Sequence, residues 1–160
     1  INGDFQLWLP ITGVISPQTV FLAPDPDTTI TDPSTTLLPI SVSAYDAENG
    51  SLYIHSSRGY TRSGEIKPEL AAPGVGISAV AKNGSLTSVT GTSAAAALTA
   101  GAAALLVDWR LEGNPRHLMT SSELKNFLIR GAGRSRDLTY PNRSWGYGTL
   151  NVYGVFESLL

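Results

Sequence analysis

The sequence predicts an α/β fold, and three observations carry that expectation. The first half consists of short extended stretches broken by proline. The second half holds a long alanine-rich apolar run and then a capping-box helix signal. The two halves meet at a glycine turn, Gly91-Thr92-Ser93, which feeds directly into the apolar run. At 160 residues the chain can form one medium domain that buries about 70% of its unfolded surface. A hydrophobic content of 42% against 15% charged argues for a packed interior and against disorder. Net charge is −2 with no basic or acidic block, so neither nucleic acid nor an anionic membrane surface is implied as a partner. The lack of cysteine excludes disulfides, thiolate metal sites and a cysteine nucleophile. The longest apolar run, Ala94 to Val107, is interrupted by Thr99 and is too short to span a bilayer. No charged segment followed by an apolar one opens the chain, and a start at Ile1 instead of Met suggests a processed or excised segment.

Taken in order, Asp4 to Leu9 alternates apolar Phe5, Leu7 and Leu9 with polar Asp4 and Gln6, although Trp8 breaks the polar side. Thr19 to Leu22 and Thr28 to Thr31 are further extended stretches, joined by the connector Ala23 to Asp27, whose prolines disfavour helix before them. Leu37 to Tyr45 reads as a buried strand. Asn49-Gly50 turns it into a return arm, Ser51 to His55. Arg58 to Glu69 is polar and loop-like, and Ala71 to Val80 gives a tight turn at Pro73-Gly74 and another short strand. Ser93 to about Trp109 is the strongest helix. It is apolar all round until Asp108 and Arg110, which predicts burial on almost every side. Thr120-Ser121-Ser122-Glu123 is a capping box for a second helix, with Leu124, Phe127 and Leu128 as its stripe and Gly131 as its stop. Asn151 is placed to cap a closing helix from Val152 to Leu160.

The chemistry concentrates at Ser93. At the start of a helix, free backbone N–H groups and the positive end of the dipole favour an oxyanion beside the hydroxyl, as acyl transfer requires. Taken alone, a serine there is ordinarily a helix cap. The sequence offers it no convincing base. His55 lies on the return arm of a hairpin, and His117 follows the long helix, where a cation is commonplace. Asp108 is at the far end of that helix, Asn83-Gly84 reads as a hairpin turn, and no His, Asp or Glu cluster has metal-ligand spacing. Plain strand structure accounts for the carbonyls of Ala44 to Asp46 better than a weak cation site does. No cofactor is implied. The three tryptophans, Trp8, Trp109 and Trp145, form no regular stacking array.

Five segments in order resemble the C-terminal part of the subtilisin-like serine proteases, the subtilases of peptidase family S8. They are Ile40 to Asp46, the Ser56-Ser57-Arg58-Gly59 loop, Ile66 to Gly74, the Gly91-Thr92-Ser93 motif with its small-residue helix and Gly101, and Gly146 to Asn151. The resemblance implies an incomplete subtilisin-like three-layer α/β sandwich over residues 31–160. Residues 1–30 resemble the end of a jelly-roll-like β insertion and its connector, as in some clostridial subtilases, and so imply a short β segment ahead of it. Ser93 would then be the nucleophile, its own N–H an oxyanion donor, and Thr92 and Gly91 its supports. The family's catalytic Asp and His and its oxyanion Asn belong upstream, and none of their glycine-rich motifs occurs here. Where the family usually has Pro and His after the nucleophile, this chain has Ala97 and Leu98, a change that concerns packing only.

The partners implied are a polypeptide substrate, the N-terminal segment of the same protease and, for the chain alone, self-association. The location implied is extracellular or on a bacterial spore or cell surface. The alternatives are a pseudoprotease scaffold that binds a partner without hydrolysis and, from residues 1–30 only, a carbohydrate-binding β module. An α/β-hydrolase esterase is excluded because Gly91-Thr92-Ser93-Ala94-Ala95 lacks the second glycine of the elbow motif.

Overall fold

A computed structural model describes residues 5–10, 13–113 and 118–159. It contains β1 (Val42–Tyr45), β2 (Leu70–Pro73), β3 (Ile77–Val80), β4 (Leu86–Val89), α1 (Thr92–Gly113), α2 (Ser121–Arg130) and α3 (Val152–Glu157). The parallel pair β1–β2 runs in register from Val42 opposite Leu70 to Tyr45 opposite Pro73. On the other side of β2, the Ala71 N–H donates to the Gly148 carbonyl and the Leu150 N–H to the Ala71 carbonyl. Thr149 in turn bridges to Gly133. The sheet centre is thus extended by the closing segment of the chain. β3 and β4 form a separate antiparallel hairpin, turned by Asn83-Gly84 with the Ala81 N–H on the Ser85 carbonyl.

Local signals were read correctly where they are self-contained. α2 starts at Thr120 with both halves of the capping box in place, and Asn151 caps α3 through its side-chain oxygen on the Gly154 N–H. Gly131 ends α2 with φ −83°. It needs to be glycine because a Cβ there would lie 2.3 Å from the Val155 nitrogen. α3 is shorter than expected and closes at Glu157.

Four expectations are corrected. β1 covers only the last four residues of the expected strand Leu37 to Tyr45, because the Leu37 and Pro39 carbonyls and the Ser41 N–H are engaged by side chains instead of a strand partner. The return arm Ser51 to His55 pairs only at Leu52 opposite Tyr45. Ahead of β1 no strand forms among the described residues: Phe5 to Leu9, Thr19 to Leu22 and Thr28 to Thr31 are irregular, since alternation alone makes no ladder without a partner.

Finally, α1 is not buried all round. Its buried residues, Ala95, Thr99, Ala102 and Leu106, form a single stripe. Leu98 and Leu105 on other faces are 40% and 56% exposed. Ala95 clusters with Ala44 of β1 and Ala72 of β2. Leu106 clusters with Leu70, Leu128, Ala132 and Val155. Each large side chain in that second cluster contributes about 1.5–3 kcal/mol through burial. The helix has 22 residues, longer than the apolar run read from the sequence, and by length and composition it could cross a membrane. Its packing against both strands of the parallel pair and α2, and its polar end at Asp108, Arg110 and Glu112, are those of a core helix.

Candidate active site

Ser93 occupies the first turn of α1, on the exposed side. The turn that delivers it is fixed from β2 onward. The Gly91 N–H donates to the Gly74 carbonyl at 2.7 Å, and the Gly91 carbonyl accepts the Ala94 and Ala95 N–H groups that open the helix. Gly91 has φ +152°, and a Cβ there would stand 3.3 Å from Ser93 Oγ. A glycine is therefore required both by the backbone and by the room the serine hydroxyl takes. Neither the Ser93 hydroxyl nor the Thr92 and Ser93 N–H groups has a hydrogen-bond partner among the described residues. Unpartnered donors at a helix start, beside an unpartnered hydroxyl, form a local field suited to an oxygen anion.

Beside Ser93, Thr92 forms one wall of a cavity of about 180 Å³, lined also by Thr31, Ser34, Ser41, Ser57 and Pro68. Its wall residues come from residues 30–34, β1 and the residue before it, the loop after β1 and the segment before β2. Residues 30–34 are anchored by the preceding Thr28 and Thr29, whose N–H groups donate to the Gly59 and Arg58 carbonyls. Ile30 and Thr31 are shared with a larger cavity of about 710 Å³ that also contains Trp8, Asp32 and Arg62.

The other sequence candidates stay apart from this site. His55 is exposed and packs edge-on against Tyr53, and His117 lies outside the described residues. Asp108 is near the far end of α1. Asn83 caps its own turn through Ser85. The carbonyls of Ala44, Tyr45 and Asp46 accept the Tyr53, Gly74 and Gly50 N–H groups. No group of three His, Asp or Glu residues capable of holding a metal occurs among the described residues. Of the tryptophans, Trp145 meets Tyr45 and Trp109 meets Phe156, while the Trp8 indole donates to the Thr28 carbonyl. Burial beside Trp145 raises the Tyr45 phenol above its usual pKa by disfavouring the phenolate.

Sequence reasoning missed one polar cluster. Glu69, read as the end of a loop, is buried and paired with both Lys67 and Lys125. A Lys67-Pro68-Glu69 triplet running straight into an apolar strand was the available sign, since charges next to a buried strand need partners.

Residues 22–148 match the Subtilase family of S8 peptidases. The chain belongs to that family. Among solved structures, the CspB protease of Clostridium perfringens superposes with a TM-score of 0.82 at 34% identity, covering 88% of this chain and 31% of that one. The prenylagaramide maturation protease PagA gives 0.68 at 25% identity, over 85% and 48%. The patellamide maturation protease PatA gives 0.64 at 26%, over 79% and 45%. The chain thus spans about a third of the first of these and less than half of the other two. No curated protein sequence matches it significantly. The fold is an incomplete subtilisin-like α/β fold.

Proposed function

We propose that this chain is the nucleophile-bearing part of a serine endopeptidase, with Ser93 attacking the scissile carbonyl of a polypeptide. The single observation that supports this best is the exposed, unpartnered Ser93 hydroxyl on the first turn of α1, in a Gly-Thr-Ser motif of a subtilase-family chain. The Ser93 N–H would donate to the oxyanion, with Gly91 setting the turn and Thr92 lining the cleft. The catalytic His and Asp and the oxyanion Asn would come from an amino-terminal segment of the same protease. That segment would also cover the bare face of α1. Alone, the chain would be close to inert, since losing triad members costs on the order of 10⁶-fold in kcat in subtilisin itself. It would also tend to self-associate through the uncovered apolar surface. A secreted or spore-surface location accompanies the resemblance to clostridial subtilases, as does the derivation of residues 1–30 from a jelly-roll-like insertion.

The test is labelling by a fluorophosphonate, with this chain alone and with the chain joined to its amino-terminal segment, each as wild type and as Ser93→Ala. Fast labelling of the joined wild type, abolished in Ser93→Ala, is expected. Labelling that survives Ser93→Ala, or that proceeds as fast in the isolated chain, overturns the proposal. A joined protein that folds but never labels points to a pseudoprotease scaffold instead.

A further inference from the structure

One buried carboxylate ties together three stretches that are far apart in sequence. Glu69 Oε2 accepts the Ser41 N–H at 2.7 Å. Its Oε1 receives Lys67 Nζ at 2.6 Å and Lys125 Nζ, from α2, at 2.7 Å. Both ammonium groups continue to backbone: Lys67 Nζ donates to the Pro39 carbonyl at 2.8 Å and Lys125 Nζ to the Leu37 carbonyl at 2.7 Å. Side chains of Lys67 and Glu69 are almost wholly out of solvent. A lone charge in that position would be very costly, so the three persist only as a set and hold residues 37–41 with them. This is why β1 begins at Val42 and no earlier.

The other end of this network is the cavity beside Ser93. Ser41, fixed through its N–H by Glu69, donates its hydroxyl to the Ser34 carbonyl at 2.8 Å. Pro68 sits in the chain between Lys67 and Glu69. Ser34, Ser41 and Pro68 are all walls of the cavity to which Thr92 contributes, while Glu69 and the two lysines do not line it.

We infer that Glu69, with Lys67 and Lys125, is a positioning residue that sets the shape of the cavity in which a substrate side chain seats next to Ser93. The functional half of this inference rests on the protease reading; the structural half does not. Neutralising the carboxylate leaves the buried Lys67 and part-buried Lys125 ammonium groups without their anion and weakens the acceptor of the Ser41 N–H. The wall formed by residues 34–41 then loosens while Ser93, held by Gly91 and Gly74, stays in place. The signature is therefore a change in substrate seating, with the chemical step little altered.

The experiment compares wild type, Glu69→Gln, Lys125→Met and Leu128→Ala. The Leu128 variant weakens the same core without touching the cavity. Steady-state cleavage of a quenched-fluorescence peptide and amide exchange at Ser41 are both measured on the joined protein. Glu69→Gln is expected to raise KM about tenfold, the size of one lost charge-assisted hydrogen bond, with kcat nearly unchanged and Ser41 exchange about tenfold faster. Lys125→Met moves both in the same direction but less, because Lys67 still holds Oε1, and it serves if Glu69→Gln does not fold. Leu128→Ala lowers the melting temperature with KM unchanged. A KM that rises with loss of stability in Leu128→Ala as it does in Glu69→Gln overturns the inference. So does Ser41 exchange that stays at the wild-type rate in both charge variants. If the wild type cleaves nothing, the protease reading fails, and Ser41 exchange alone decides whether Glu69 holds this wall.

Discussion

Gly74 is where the Gly91-Thr92-Ser93 turn meets the sheet, and replacing it with alanine tests the whole arrangement. A Cβ on Gly74 would lie 2.6 Å from the Ala44 Cβ and 2.9 Å from the Gly91 carbonyl oxygen, where ordinary contact begins at 3.4 Å. The first neighbour is a methyl on β1 with no rotamer to change, and the second is backbone. Neither can yield locally, so relief requires β1 to retreat by about 0.8 Å and the Gly91 carbonyl by about 0.5 Å. The Gly91 carbonyl carries the Ala94 and Ala95 N–H groups, so its retreat carries the start of α1 and Ser93 with it. Overpacking of this kind costs about 1–3 kcal/mol, which for a chain this size lowers the melting temperature by about 3–10 °C. A displacement of about 1 Å at a reacting atom costs on the order of 10²-fold in rate, so half of that at Ser93 costs on the order of tenfold. Thermal denaturation by far-UV circular dichroism on this chain, and fluorophosphonate labelling on the joined protein, read the two effects. Gly74→Ala that melts and labels like wild type would refute the close approach of β1, Gly74 and the Gly91 turn.

Gly101 is the opposite case: a Cβ there meets nothing within 4 Å, and the site lies in the middle of α1 on its exposed side. Gly101→Ala should therefore stabilise this chain by about 0.5–1 kcal/mol through helix propensity, read as a higher urea midpoint. In the joined protein the same methyl should be destabilising if another segment closes over that face. A gain of equal size in both forms would count against such a cover. For Tyr45, burial places the folded pKa above the unfolded value of 10.0. The unfolded chain thus releases this proton first, and its contribution to stability is whole below that value and is lost as pH rises through the raised folded pKa. Melting temperatures measured from about pH 8 to 11 should fall less steeply in Tyr45→Phe than in wild type; parallel curves would refute the shift.

What the sequence disclosed divides by the range of the interactions. The Thr120–Glu123 box, the Asn151 cap and the Asn83-Gly84 turn each close within four residues, and each was legible from the chain alone. The position of Ser93 on the first turn of α1 was legible for the same reason, since a glycine and the helix it opens are neighbours. The Glu69 cluster was not, because its second lysine lies 56 residues away on another helix. That same distant pairing withdraws residues 37–41 from the strand their apolar character suggested. Residues 5–9 show the complementary failure: alternation states which face a strand would bury, but a ladder needs a partner, and none is present among the described residues.

α1 joins these two lessons. Its composition carries no polar face before Asp108, which describes a helix enclosed by protein on every side. Its contacts in this chain enclose one stripe, Ala95, Thr99, Ala102 and Leu106, and leave Leu98 and Leu105 open. Hydropathy reports the surroundings a helix was selected for, and the coordinates report the surroundings this chain supplies. The difference between them is therefore a surface, the one running through Leu98, Gly101 and Leu105. It lies on the helix whose first turn presents Ser93, and the matched part of the CspB protease is only 31% of that chain. Whatever covers this face lies along the same helix as Ser93. On the proposed protease reading, a segment that covers it would also be placed to bring a base to Ser93, so one contact would supply both burial and catalysis.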